Sequence, residues 1–163
     1  MHGINGRRRL ALVRLPSNWA LGEIRAKGND VTDRILSFGT TDDSLNDVEV
    51  VLTDRLAEVS GTVEDARGRP AAGSHVIVAA MDRRKWYPGS RFLRRALAEQ
   101  NGTFRVAGLP AGTYYLVGCE GVPTGGDDAW QDPEFLESIV TRGTTLTLQD
   151  GEKQSLQLEM AAR

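Results

Sequence analysis

Cysteine and histidine are nearly missing from this chain: 163 residues contain only Cys119, His2 and His75. One cysteine excludes an internal disulfide, and no set of these ligands has the spacing of a structural zinc site. Nucleophilic catalysis has equally little to draw on. Ser74 precedes His75, but neighbours on a strand point to opposite faces, which is poor geometry for a triad. Cys119 reads as a small, half-buried hydrophobe at a strand end. No apolar run approaches the roughly 18 residues that suggest a membrane span. The opening Met1-His2-Gly3-Ile4-Asn5-Gly6-Arg7-Arg8-Arg9 is basic but lacks an apolar stretch of about seven residues, so it does not read as a signal peptide. Charge of one sign is also lacking. Twenty Lys and Arg face 22 Asp and Glu, a net charge of −2, which offers no global attraction to nucleic acid or an anionic membrane. No phosphate loop is present, because Gly121, Gly125 and Gly126 lead into acidic residues that would repel phosphate. The acidic residues gather as Asp30, Asp33, Asp42, Asp43 and Asp47, and as Asp127, Asp128 and Asp132. Neither group matches an EF-hand loop, and turn-forming or solubilising roles suit both. No cofactor or metal is implied.

What the chain does have is glycine, 18 residues of it, with only 6% aromatics. That balance suits short strands joined by tight turns, an all-β chain. Strand candidates fall at 7–14, 19–26, 35–38, 48–52, 56–63, 76–81, 104–106, 114–118, 145–148 and 155–160. One short helix is expected near 132–140, with Asp132 as cap and Pro133 in the first turn. Asn101-Gly102 predicts a tight hairpin using two positive φ angles, with Phe104 and Val106 alternating into a core. Gly108-Leu109-Pro110-Ala111-Gly112 then forms a rigid corner, with Gly112 free to take a left-handed conformation. Tyr114, just past that corner, is placed to bury its ring and bond its hydroxyl back to upstream backbone.

A weak internal echo divides the chain. Phe38-Gly39-Thr40-Thr41 and the following strand at 48–53 resemble Arg142-Gly143-Thr144-Thr145 and the strand at 155–160. Gly6-Arg7-Arg8-Arg9-Leu10 likewise resembles the glycine-led stretch 112–116. Residues 1–53 therefore read as the second half of a β module whose complete copy is 54–163. Half a sandwich leaves open edges, so either the chain begins inside a longer tandem array or its first strands dock on the complete unit.

The richest surface candidate is Arg83-Arg84-Lys85-Trp86-Tyr87-Pro88-Gly89-Ser90-Arg91-Phe92-Leu93-Arg94-Arg95. Aromatic faces stack on sugar rings, and guanidinium groups bond hydroxyls or carboxylates. Trp86, Tyr87, Arg84 and Arg91, with Trp130 possible as a facing partner, are the candidate ligand-binding residues. The same residues also suit a plainer reading, in which Trp86 or Phe92 covers the sandwich end and the arginines lie solvated or pair with acidic loops.

Taken together, Ser60-Gly61-Thr62-Val63, Asp65-Ala66-Arg67-Gly68-Arg69-Pro70, His75-Val76-Ile77-Val78, Asn101-Gly102-Thr103-Phe104 and the run from Gly108 through Tyr114 resemble a carboxypeptidase regulatory-like domain. The resemblance implies a prealbumin-like or immunoglobulin-like Greek-key β-sandwich, in which Gly61, Gly102, Pro110, Gly112 and Tyr114 are structural. It further implies a non-catalytic module of secreted, periplasmic or envelope proteins, often in tandem, with neighbouring domains or another protein chain as partners. Related sandwiches include starch-binding-like modules, which makes carbohydrate binding the alternative and polysaccharide a possible partner. The zinc motif of the catalytic domain that gives the family its name, a His and a Glu three apart, is missing: Asn5 follows His2 at that spacing, and Val78 follows His75.

Overall fold

Alternating apolar residues and closely spaced turns build strands along almost the whole chain. The computed structural model describes residues 5–12, 14–16, 19–39, 45–126 and 128–160, and the chain divides into two units, Met1–Asp54 and Arg55–Arg163.

Among its described residues, the first unit holds five strands: β1 Gly6–Arg8, β2 Ala20–Ala26, β3 Asn29–Asp30, β4 Leu36–Phe38 and β5 Val48–Thr53. β1 pairs antiparallel with β4, and a second sheet has the order β3-β2-β5. The strand expected at 7–14 stops at Arg8, where β4 ends its three-residue run of partners, Phe38, Ser37 and Leu36. Lys27 (φ 50°) and Gly28 (φ 77°) form the two-residue turn between β2 and β3. Two consecutive positive φ angles give a turn whose twist matches that of the strands it joins. Ile24 and Ala26 are buried, and the Ile24 N–H donates to Thr32 Oγ1 at 2.7 Å.

The second unit is a β-sandwich with, among the described residues, one α-helix. Its strands are β6 Ala57–Glu64, β7 His75–Ala80, β8 Leu93–Leu97, β9 Thr103–Leu109, β10 Gly112–Cys119, β11 Thr144–Leu148 and β12 Lys153–Glu159, with α1 Pro133–Val140 between β10 and β11. One sheet has the order β11-β10-β7-β8 and the other β12-β6-β9. Val59, Val63, Val76, Val78, Phe104, Val106, Leu116 and Leu158 belong to the core that joins the two sheets. A second cluster lies on the other face of the four-stranded sheet, where Ile77, Ala79 and Leu93 meet Leu136 and Val140 of α1. β7, His-Val-Ile-Val-Ala-Ala, is therefore buried on both faces, which explains its unbroken apolar run. The expected helix is present, with Asp132 Oδ1 accepting from the N–H groups of Glu134 at 2.9 Å and Phe135 at 3.1 Å.

Two turn expectations need correction. Gly102 alone has positive φ, 79°, while Asn101 does not. Gly102 N–H donates to Glu99 O at 2.9 Å and Glu99 N–H to Thr103 O at 2.8 Å, so the turn is a three-residue loop ending in a glycine bulge. The strands it joins also enter different sheets, β8 one and β9 the other. β8 itself begins inside the basic stretch 83–95 and runs two residues past it.

Gly61 sits where β6 is flanked by both neighbours, opposite Phe104 of β9 and Leu156 of β12. A Cβ there would stand 1.7 Å from Leu156 O, so close approach of backbones dictates glycine. The Pro110 corner carries the chain from one sheet to the other, and the fully buried Tyr114 donates its hydroxyl to Pro110 O at 2.7 Å. Burial pushes that phenol upward from its usual range.

Candidate functional site

The basic, aromatic segment begins where β7 leaves the sheet at Ala80. Asp82 caps a single 3-10 turn, Arg83–Lys85, its carboxylate accepting from Arg84 N–H. The same carboxylate takes both arms of the Arg84 guanidinium, Nε to Oδ1 at 2.9 Å and Nη2 to Oδ2 at 3.0 Å. Hydrogen bonding from Arg84 holds Asp82 below the ordinary carboxylate range.

Trp86 follows and turns inward. It is 6% exposed, packs in the cluster under α1, and donates its indole N–H to Ala80 O at 2.7 Å. Trp130, 8% exposed, enters the same cluster from the short 3-10 turn Ala129–Gln131. The two indoles named for sugar stacking are thus core residues. They cover the outer face of β7, which would otherwise meet water. Tyr87 is half-buried.

The basic side chains are largely tied down. Arg83 forms a two-armed pair with Glu137 of α1, and its guanidinium lies 5.7 Å from the centre of the Trp86 ring. Arg95 lies 5.6 Å over Trp130. Arg94 donates to Leu93 O at 2.9 Å and Gly108 O at 3.3 Å, and its burial lowers its pKa. Arg91 and Lys85 both approach the Phe92 ring, at 4.9 Å and 3.9 Å. Gln131 closes the far end, accepting from Gly89 N–H at 2.7 Å and donating to Asp128 at 2.6 Å. The structure thus brings Arg84, Trp86 and Arg91 into one segment but aims the tryptophan rings away from solvent.

Sequence reasoning missed one pairing. In the register of β7 with β10, His75 stands opposite Cys119. The environment does not activate it. Burial pushes the Cys119 thiol up, while burial and then Arg95 push His75 down; both shifts favour a neutral pair over thiolate and imidazolium. His75 Nδ1 is buried without a hydrogen-bond partner. Ser74 donates its hydroxyl to Ala71 O at 2.7 Å, a structural use.

The acidic residues serve turns. Asp30 Oδ1 accepts from Thr32 N–H at 2.8 Å, and Asp33 and Asp47 adopt positive φ. His2, Asp42, Asp43 and Asp127 lie outside the described residues. Among the described residues, no three His, Cys, Asp or Glu converge as a metal site would require. No helix of the described residues is long and apolar enough to cross a membrane.

Among known families, residues 58–119 match the model of the carboxypeptidase regulatory-like domain. No curated protein matches the chain. Among solved structures, it is similar to a candidate carbohydrate-binding protein from Pseudomonas aeruginosa, at 15% identity over 64% of this chain and 88% of that one, TM-score 0.40. It is also similar to BcpA, the major pilin subunit of Bacillus cereus, at 14% identity over 69% of this chain and 31% of that one, TM-score 0.39. A streptococcal ancillary pilin matches at 15% identity over 97% of this chain and 45% of that one, TM-score 0.42.

Proposed function

We propose that this chain, with its carboxypeptidase regulatory-like domain at residues 58–119, is a non-catalytic structural and interaction module of an extracytoplasmic multidomain protein. One observation carries the reading: the side chains best suited to recognition or chemistry are engaged in holding the sandwich together. Trp86 and Trp130 fill the space beneath α1, Arg83 ties the 3-10 turn to α1, and the neutral His75 and Cys119 pair lies on a packed sheet face. The family motif residues do likewise, since Gly61 admits the Leu156 carbonyl and Tyr114 locks the Pro110 corner. Residues 1–53 are a partial β module of related type, and residues 54–163 the complete one.

The test uses the whole chain. Incubated with peptide, ester and glycoside substrates, it is expected to show no turnover above buffer; turnover abolished by both His75→Ala and Cys119→Ala would overturn the reading. Titration with starch, cellulose and chitin oligosaccharides is expected to leave tryptophan fluorescence unchanged. A saturable change lost on Trp86→Phe would instead establish carbohydrate binding.

A further inference from the structure

A cleft of about 370 Å3 opens where β7 ends and β10 begins, bordered by Met81, Lys85, Phe92, Gly112, Thr113 and Tyr114. We propose that this cleft binds a small carboxylic acid with a flat apolar body, its carboxylate on the Lys85 ammonium and its body against Met81. This lies beyond the structural role proposed above and does not depend on it.

The size falls within the range of small-ligand sites, roughly 300–1,000 Å3. Met81 is 48% exposed, an unbranched and polarisable side chain that adapts to an apolar guest. It is also pinned at its backbone, since Met81 N–H donates to Thr113 O at 2.8 Å. Gly112 contributes no side chain to the rim, and the buried Tyr114 closes the floor, 3.5 Å from where a Cβ at Gly112 would stand.

Charge supplies the selectivity. The Lys85 ammonium lies 3.9 Å from the centre of the Phe92 ring, and among the described residues no hydrogen bond or ion pair engages it. A cation held on a ring face keeps its donors for a further partner. Asp82, the carboxylate nearest in sequence and also on the cleft, is occupied by both arms of Arg84 and by its backbone N–H, so it competes weakly for Lys85. The turn bearing Lys85 is anchored on both sides, by the Asp82 cap and by Trp86 bonded to Ala80 O. The ammonium is therefore positioned before a ligand arrives, which lowers the ordering cost of binding.

The experiment follows the methyl resonance of Met81 in 13C-methionine-labelled protein, using phenylacetate as the probe. A saturable shift at Met81 is expected, weakened about tenfold by Lys85→Gln, a factor worth about 1.4 kcal/mol. Phenylacetamide, isosteric but uncharged, is expected to bind about tenfold more weakly than phenylacetate to the unaltered chain, and equally to the variant. Equal affinity for acid and amide, or for Lys85→Gln and the unaltered chain, would overturn the proposal. So would the absence of a saturable shift up to about 20 mM, well past a weak millimolar site. Circular dichroism is used to check that Lys85→Gln, a change at a half-exposed position, folds as the unaltered chain does. If N-acetyl-Gly-Phe binds more tightly than phenylacetate, the occupant is a peptide C-terminus and the assignment to a free acid fails.

Discussion

Tyr114 and Pro110 are joined by a hydrogen bond of 2.7 Å from phenol to carbonyl, across the corner where the chain passes from one sheet to the other. The ring itself is fully buried among the apolar residues between the sheets. Tyr114→Phe keeps the ring and removes only that bond. A net loss of about 1 kcal/mol is expected in urea unfolding. Tyr114→Ala, which also leaves a cavity, is expected to cost about 3–5 kcal/mol.

Gly61 is the position where space and backbone freedom separate most clearly. Gly61→Ala forces a methyl onto Leu156 O and is expected to destabilise by at least about 3 kcal/mol, through backbone that cannot yield. Gly28→Ala offers the contrast, because nothing lies within 4 Å of its Cβ and only the φ of 77° opposes it; a loss of about 1 kcal/mol is expected. Thermal unfolding of the two variants, compared on the same chain, measures the difference.

Asp65 is expected to titrate far below an ordinary aspartate. Arg69 bonds it through both backbone N–H and guanidinium, and these contacts lower its pKa to about 2. A carboxylate whose folded pKa is depressed stabilises the fold above its unfolded pKa, about 3.9, and loses that contribution as pH falls towards the folded value. The window is therefore about pH 4 down to 2. Carboxyl-detected NMR on the intact chain should give a midpoint near 2, and Arg69→Ala should raise it.

Trp86 should behave as a core residue. Trp86→Phe leaves the Ala80 carbonyl without its indole partner and is expected to cost about 1–3 kcal/mol, read in chemical denaturation. Trp19 is 46% exposed and emits as water-exposed indole, so the Trp86 contribution is read as the difference between the native chain and Trp86→Phe, and is expected to be blue-shifted and poorly quenched by iodide. A difference spectrum typical of water-exposed indole would contradict its packing beneath α1.

Cys119 is expected to react slowly with iodoacetamide, because burial both raises its pKa and blocks access. Unfolding in urea should accelerate the reaction. A fast native rate, matched to the unfolded one, would show that the β10 end opens readily.

The strands were legible wherever apolar residues alternate against one core, as in Leu156 and Leu158 of β12 or Phe104 and Val106 of β9. The corner at Pro110 and the bond made by Tyr114 were legible too, because their geometry is local. What local chemistry does not carry is the sheet each strand joins. Asn101-Gly102 announces a reversal of direction, and the same reversal serves a hairpin within a sheet or a step between sheets. β8 was hidden because Leu93-Arg94-Arg95-Ala96-Leu97 reads as a continuation of a basic loop, and Arg94 spends its charge on the carbonyls of Leu93 and Gly108. The direction of Trp86 was left between two readings, ligand stacking and cover of the sandwich end, and the second is the one found. An indole beside arginines has the same composition whether it faces solvent or core, but the unbroken His-Val-Ile-Val-Ala-Ala of β7 demanded cover on both faces, and that signal pointed to Trp86 and Trp130.

The parallel ladder between β12 and β6 runs over the full length of β12, from Lys153 opposite Glu58 to Glu159 opposite Glu64. It joins the last strand of the sandwich to the first. Parallel pairing of strands far apart in the chain forms late, because the loop between them must close first. During synthesis, β6 leaves the ribosome long before its partner exists, so this edge stays open until residues 153–159 emerge. Stalling translation between α1 and β12 should therefore leave a nascent chain that pairs with other strands or recruits a chaperone, and release of the final strand should act as the latch.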